Sequence, residues 1–114
     1  MRKTKRKYGC PVEFSLDLLS GKWKTVILSR LKIRPMRYAE LRHDIPALSD
    51  KVLTERLRDL CEAGFVKRER SGRESRYSLS RRGEMLKPML QALYDWGHDN
   101  AAPFGVRFLD ADMN

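Results

Sequence analysis

The segment SDKVLTERLRDLCEAG, Ser49 to Gly64, constrains the fold more than any other stretch of the chain. Leu53, Leu57 and Leu60 recur at helical spacing and make one apolar stripe. Lys51, Val52, Glu55, Arg58 and Asp59 fall on the far side, with Thr54 on the flank. Ser49 suits an N-cap and Gly64 a left-handed C-terminal cap, so the helix has a defined start and stop. A shorter helical pattern precedes it in RYAELRHDI, with Tyr38, Leu41 and Ile45 inward and Pro46 ending it. Two helices joined by a few residues, the second serine-capped and polar on one side, outline a helix-turn-helix. A mixed-charge helix face is ordinarily just solvated, and Glu55 can either accept from a cytosine or pair with Arg58 at i+3 and do nothing more.

After Gly64 the period changes. FVKRER and SRYSLS read as two strands around SGRE. With a four-residue loop, Val66 opposes Leu79 and Glu69 opposes Arg76, both sensible pairs. A two-residue Ser71-Gly72 loop would set Glu69 against Glu74 and Arg70 against Arg73, so the longer loop is preferred on charge. The hairpin carries Lys67, Arg68, Arg70, Arg73 and Arg76. Helix, turn, helix and basic hairpin in that order predict a winged helix: a mainly α fold with a small β-hairpin. The net charge of +9 follows the same plan. Residues 1–7 contribute +5, 8–62 contribute +2, 63–82 another +5, and 83–114 contribute −3. An excess confined to an arm and one hairpin is the footprint of a nucleic-acid partner, against the plainer reading of a merely basic surface.

Helices are predicted on both sides of this unit. PVEFSLDLL places Val12, Leu16 and Leu19 at helical spacing, with Phe14 and Leu18 beside them. Pro11 fits the first turn and Cys10 the N-cap position. Gly21 breaks that helix, and Trp23, Val26, Ile27 and Leu31 carry a second one from Lys22 until Pro35. Ser80 caps a last long helix with Leu86, Met89, Leu90, Leu93 and Trp96 in its stripe, and Pro88 is expected to bend it. That stripe either covers the chain's own core or packs on a second subunit, and a homodimer is the preferred reading. The organisation expected is a basic arm over 1–8, one domain over 9–102 and a tail over 103–114.

Other classes find little support. Cys10 and Cys61 lie 51 positions apart, without metal-ligand or disulfide spacing. His43 and His98 are not spaced as a ligand pair, and no nucleophile with a base or phosphate loop appears. Neither an enzyme nor a metal or other cofactor is expected. No apolar run reaches the ~20 residues that span a bilayer. No apolar segment follows the basic start, so a cytoplasmic location is expected, without a membrane. Cys61 beside the leucine stripe reads as buried and inert. Trp23, Tyr94 and Trp96 are either core or the lining of a small-molecule effector pocket.

Taken together, CPVEFSLDLLSGKW, MRYAELRHDIPALSDKVLTERLRDLCEAGFVKR and YSLSRRGEMLKPMLQALYDWG resemble the HxlR-type winged helix-turn-helix regulators, relatives of the MarR-like proteins. The resemblance covers about residues 9–97. It implies a DNA-binding transcription regulator, dimeric through its first and last helices, on a pseudo-palindromic double-stranded operator. It makes Ser49–Ala63 the recognition helix, with Ser49, Lys51, Thr54 and Arg58 toward the major groove and Arg37 near a phosphate. The wing departs from the family pattern: it is short, arginine-tipped and free of proline. Some relatives sense oxidants or electrophiles through a cysteine at the Cys-Pro position, so Cys10 is either such a sensor or simply a small residue that starts a helix. At a helix N-terminus, unpaired amides and the helix dipole favour a thiolate. An RNA-associated or protein-interaction winged helix is the alternative function. The hairpin has only Tyr77 to offer for base stacking, and it alternates with inward Leu79.

Overall fold

A computed structural model describes residues 7–108. Residues 1–6, most of the expected basic arm, and 109–114 of the expected tail lie outside the described residues. The chain runs α1 (Pro11–Leu19), α2 (Lys22–Leu31), β1 (Met36–Arg37), α3 (Tyr38–Asp44), α4 (Asp50–Glu62), β2 (Val66–Ser71), β3 (Glu74–Leu79), α5 (Arg81–Glu84) and α6 (Lys87–Asn100). A 3-10 turn over Ala102–Phe104 follows, crossing the expected boundary between the domain and the tail.

The expected helix-turn-helix is α3 and α4, joined through Pro46 and the buried Leu48. Ser49 caps α4 by accepting the Val52 amide at 3.1 Å. At the other end Gly64 adopts φ +84°, which lets the Phe65 amide reach the Leu60 carbonyl and the Gly64 amide reach that of Cys61. These two bonds satisfy carbonyls the helix would leave orphaned, and Phe65 and Leu60 are both buried beside them. Leu53, Leu57 and Leu60 enter the core with Ile27, Leu28, Leu41 and Leu48. Leu28 and Leu48 were outside the expected stripes.

The hairpin register is the expected one, with Val66 opposite Leu79 and Glu69 opposite Arg76. Pairing continues further, however, to Ser71 opposite Glu74, so only Gly72 and Arg73 form the loop. Gly72 takes φ +63° and, among the described residues, no non-glycine residue has positive φ, which suits a tight hairpin turn with glycine at its first central position. A strand absent from the expectation, β1, joins the outer side of β3, pairing Met36 with Tyr77 and Arg37 with Arg76. The three-stranded order is β1-β3-β2. Two residues are too few for a periodic signal.

The last helix is divided rather than bent. Pro88 has no N–H to continue the ladder, so α5 ends at Glu84 and Pro88 sits in the first turn of α6, where a missing donor costs nothing. Ser80 caps α5 through the Gly83 amide and also donates to the Gly64 carbonyl. Arg82 donates to the Ala63 carbonyl at 2.8 Å, so α5 clamps the end of α4. The expected α6 stripe splits in two. Leu90 is buried and Leu86 and Met89 pack on the core, but Leu93 and Trp96 are 57% and 62% exposed. On α1, Leu19 is buried and Leu18 half-buried, whereas Val12, Phe14 and Leu16 stand open.

Candidate nucleic-acid interface

The exposed side of α4 presents Lys51, Thr54 and Arg58, each about one turn from the next. Ser49 begins the same face, but its hydroxyl is already committed to the cap. The Glu55–Arg58 pair that the i+3 spacing allows is not formed. Arg56 bonds Asp59 instead at 3.3 Å, leaving Arg58 without an ion-pair partner among the described residues.

Polar contacts add to the shared leucine core in holding α4 against α3. The Asp50 carboxylate accepts from Arg42 Nε at 2.7 Å and from the Tyr38 hydroxyl at 2.9 Å. Arg42 also donates to the Leu48 carbonyl, across the turn. The Tyr38 oxygen lies 3.3 Å from Thr54 Oγ1, so one phenol ties the start of α3 to the exposed face of α4. Burial raises the Tyr38 pKa, the Thr54 contact opposes this, and the Asp50 carboxylate adds to it. The sequence showed Tyr38 as an inward ring and gave no sign of its hydroxyl's partners.

Directly paired residues in a sheet share a face, which divides the basic wing. Val66, Arg68, Arg70, Ser75, Tyr77 and Leu79 lie on the face toward α4; Lys67, Glu69, Ser71, Glu74, Arg76 and Ser78 lie on the other. Of the five basic residues expected to act together, Arg68 and Arg70 thus share α4's side, Arg73 occupies the tip, and Lys67 and Arg76 point away. Arg68 donates to Ser75 Oγ at 3.0 Å. Lys67, Arg70, Arg73 and Arg76, like Lys51, have no ion-pair partner among the described residues.

Between α4 and the wing runs a cleft of about 600 Å³, its rim carrying Arg37, Arg58, Arg68 and Arg73 and its floor Leu57 and Tyr77. Cys61 also lines it, half-buried; burial pushes its thiol pKa up, with Arg68 opposing. Arg37 is the N-cap residue of α3. Glu40 accepts its backbone N–H at 2.8 Å, a bond that holds the Glu40 carboxyl below the usual range, with Arg34 and Arg37 reinforcing it. The Arg37 guanidinium meets Glu74 of the wing at 3.2 Å. An acid three residues after the cap is a readable helix-start signal, and could have located Glu40; nothing local pointed to Glu74.

Cys10 is the N-cap residue of α1 and exposed, as expected, but makes no side-chain hydrogen bond to the helix amides. Among the described residues no group of three or more His, Cys, Asp or Glu could hold a metal ion, and no helix is long and apolar enough to cross a membrane. Tyr94 stacks on His98 and lies under Lys32 Nζ, while Trp96 faces outward, so these rings do not form a closed pocket floor.

A helix-turn-helix with a basic wing and a cationic face that lacks ion-pair partners among the described residues is the architecture of a DNA-binding regulator. The HxlR-like helix-turn-helix family matches residues 18–104, and the chain belongs to that family. It is 36% identical over 97 residues to YybR, an HTH-type transcriptional regulator of Bacillus subtilis, covering 82% of this chain and 78% of that one. A MarR-family regulator of Porphyromonas gingivalis W83 superimposes with a TM-score of 0.78 at 32% identity, covering 87% of this chain and 99% of that one. The redox regulator HypR in its oxidized form superimposes at 0.75 with 35% identity, covering 80% and 97%.

Proposed function

We propose that the chain is a homodimeric regulator that binds a pseudo-palindromic operator, with α4 in the major groove. The observation that carries this reading is the α4 face: Lys51, Thr54 and Arg58 are exposed together, and both cations lack ion-pair partners among the described residues. Arg58 suits a guanine edge, Thr54 a thymine methyl or phosphate, and Lys51 a phosphate. Ser49 holds the helix start, whose free amides also suit a phosphate. Arg68 and Arg73 border the cleft beside α4, Arg70 shares that face of the wing, and Lys67 and Arg76 reach flanking phosphates from the opposite face. Arg37 lies between the two sets.

Dimerisation is supported by the open apolar surface of α1 and α6. Val12, Leu16, Leu93 and Trp96 are each more than half exposed, and Phe104 adds to them. Surface of this size is removed from water most simply by a second copy. Cys10 stands at the start of α1, so its modification by an oxidant or electrophile acts directly on a helix of that surface. The likeness to HypR supports this redox role.

Fluorescence anisotropy on duplexes from the gene's own upstream region tests the reading, with salt varied and a mild thiol oxidant added to wild type and Cys10→Ser. Selective binding abolished by oxidant in wild type alone is expected. Selective binding indifferent to oxidant removes the sensor and keeps the regulator. Equal binding to every duplex, including those from a random selection, removes the operator reading.

A further inference from the structure

The Arg37–Glu74 pair stands between two clefts. One is the cleft of about 600 Å³ beside α4; the other, of about 350 Å³, is lined by Arg34, Arg37, Glu40, Ser71, Glu74 and Arg76 on the far side of the wing. Arg37 and Glu74 are the two residues common to both linings. Arg37 Nη1 is 3.2 and 3.4 Å from the two Glu74 carboxylate oxygens, and both side chains are more than half exposed. The carboxylate therefore occupies the guanidinium at the point where the two arginine-rimmed clefts meet.

We infer that Glu74 is an internal phosphate surrogate: it latches the wing to α3 in the free protein and yields Arg37 to a backbone phosphodiester when duplex DNA binds. Resting on the proposed DNA-binding function, the latch adds to it a gate within the interface. A carboxylate and a phosphodiester each offer two anionic oxygens to one guanidinium, so the exchange conserves the ion pair while moving it from protein to ligand. Both states keep Arg37 paired, and an exposed pair is weak enough to be exchanged rather than locked. With the pair open, the two clefts join into one groove edged by Arg34, Arg37, Arg58, Arg68, Arg73 and Arg76. The charge of that groove matches a single sugar-phosphate strand passing from α4 around the wing.

The test is a double-mutant cycle, read by anisotropy on a short fluorescein-labelled duplex of scrambled sequence at low salt, using wild type, Glu74→Gln, Arg37→Ala and the double variant. Glu74→Gln is expected to tighten binding about five-fold, the upper end for an exposed ion pair. On the Arg37→Ala background the same change is expected to do almost nothing. Glu69→Gln, which removes an equal charge from the same hairpin, controls for general electrostatics. An equal gain from Glu74→Gln in both backgrounds, or from Glu69→Gln, overturns the latch. Thermal unfolding verifies each variant, and Arg37→Gln replaces Arg37→Ala should that variant not fold. Wild-type protein that binds no duplex removes the proposed function and the latch together; wild type that binds, with no gain from Glu74→Gln, removes the latch alone.

Discussion

Arg58 and Arg73 are both exposed arginines on the same cleft, yet their positions give them different work. Arg58 stands mid-way along α4, the position from which the proposed major-groove docking takes a side chain to base edges. Arg73 sits at the wing tip, which in the same proposed docking lies against the sugar-phosphate backbone. Arg58→Ala is therefore expected to cost about 1–3 kcal/mol on the preferred duplex and little on others. Arg73→Ala is expected to weaken all duplexes alike and to lower the salt slope by about 0.9. Competition binding over a panel of duplexes and salts distinguishes them; equal losses everywhere for both variants would refute this division. The two cysteines differ for another reason. Cys10 is exposed, whereas burial raises the Cys61 thiol pKa. A raised thiol pKa means that the folded protein favours the protonated form. The associated stability is fully present below the ordinary thiol range and is lost as pH rises through the folded value. At pH near neutral, iodoacetamide is expected to label Cys10 about ten-fold faster than Cys61 or more, as peptide mass mapping would report.

Among the elements, the join between α4, β2 and α5 leaves no room for an added side chain on Gly83. Gly64 turns the chain, Phe65 enters the core, and Gly83 of α5 lies directly on the Phe65 carbonyl. A β-carbon at position 83 would meet that oxygen at 2.2 Å, and the neighbour is backbone, which cannot rotate aside. Gly83→Ala is expected to destabilise the fold by about 1–3 kcal/mol, like other overpacking changes. The loss is to be seen as a lowered midpoint in thermal unfolding; an unchanged midpoint would mean that α5 shifts freely. Leu57→Ala, at the centre of the α4 stripe, is expected to cost more, about 2–5 kcal/mol, because Leu57 is fully buried.

For the whole molecule, the unfilled surface of α1 and α6 sets the expectation. Trp96 is 62% exposed, so Trp96→Glu removes little that holds one chain together, but places a charge in the surface proposed to meet a second copy. Sedimentation velocity at micromolar concentration is expected to show a dimer for wild type and a monomer for Trp96→Glu, with circular dichroism unchanged. A wild-type monomer would contradict the dimer, and a dimeric variant would move the interface elsewhere.

Much of this architecture was readable along the chain because its signals are local. The α4 helix announced itself through the Leu53, Leu57 and Leu60 spacing, Ser49 at one end and Gly64 at the other. The hairpin register followed from pairing Val66 with Leu79. The exposed cations Lys51 and Arg58 were legible for the same reason: once the buried stripe is known, the opposite face follows from helix geometry. Less local features were not legible. Strand β1 exists only because β3 offers an edge to Met36 and Arg37, and the division at Pro88 reflects a choice between two ways of accommodating a missing donor. The sorting of Arg68 and Arg70 from Lys67 and Arg76 needed the sheet's orientation toward α4. The partners of Tyr38, and the meeting of Arg37 with Glu74 across 37 positions, arise where side chains distant in sequence converge. By itself the sequence determined the helices, the hairpin and the sign of the surface, because spacing and charge are properties of neighbours. Only the tertiary structure decided which cations are free and which already hold a carboxylate, because ion pairing depends on distances in space.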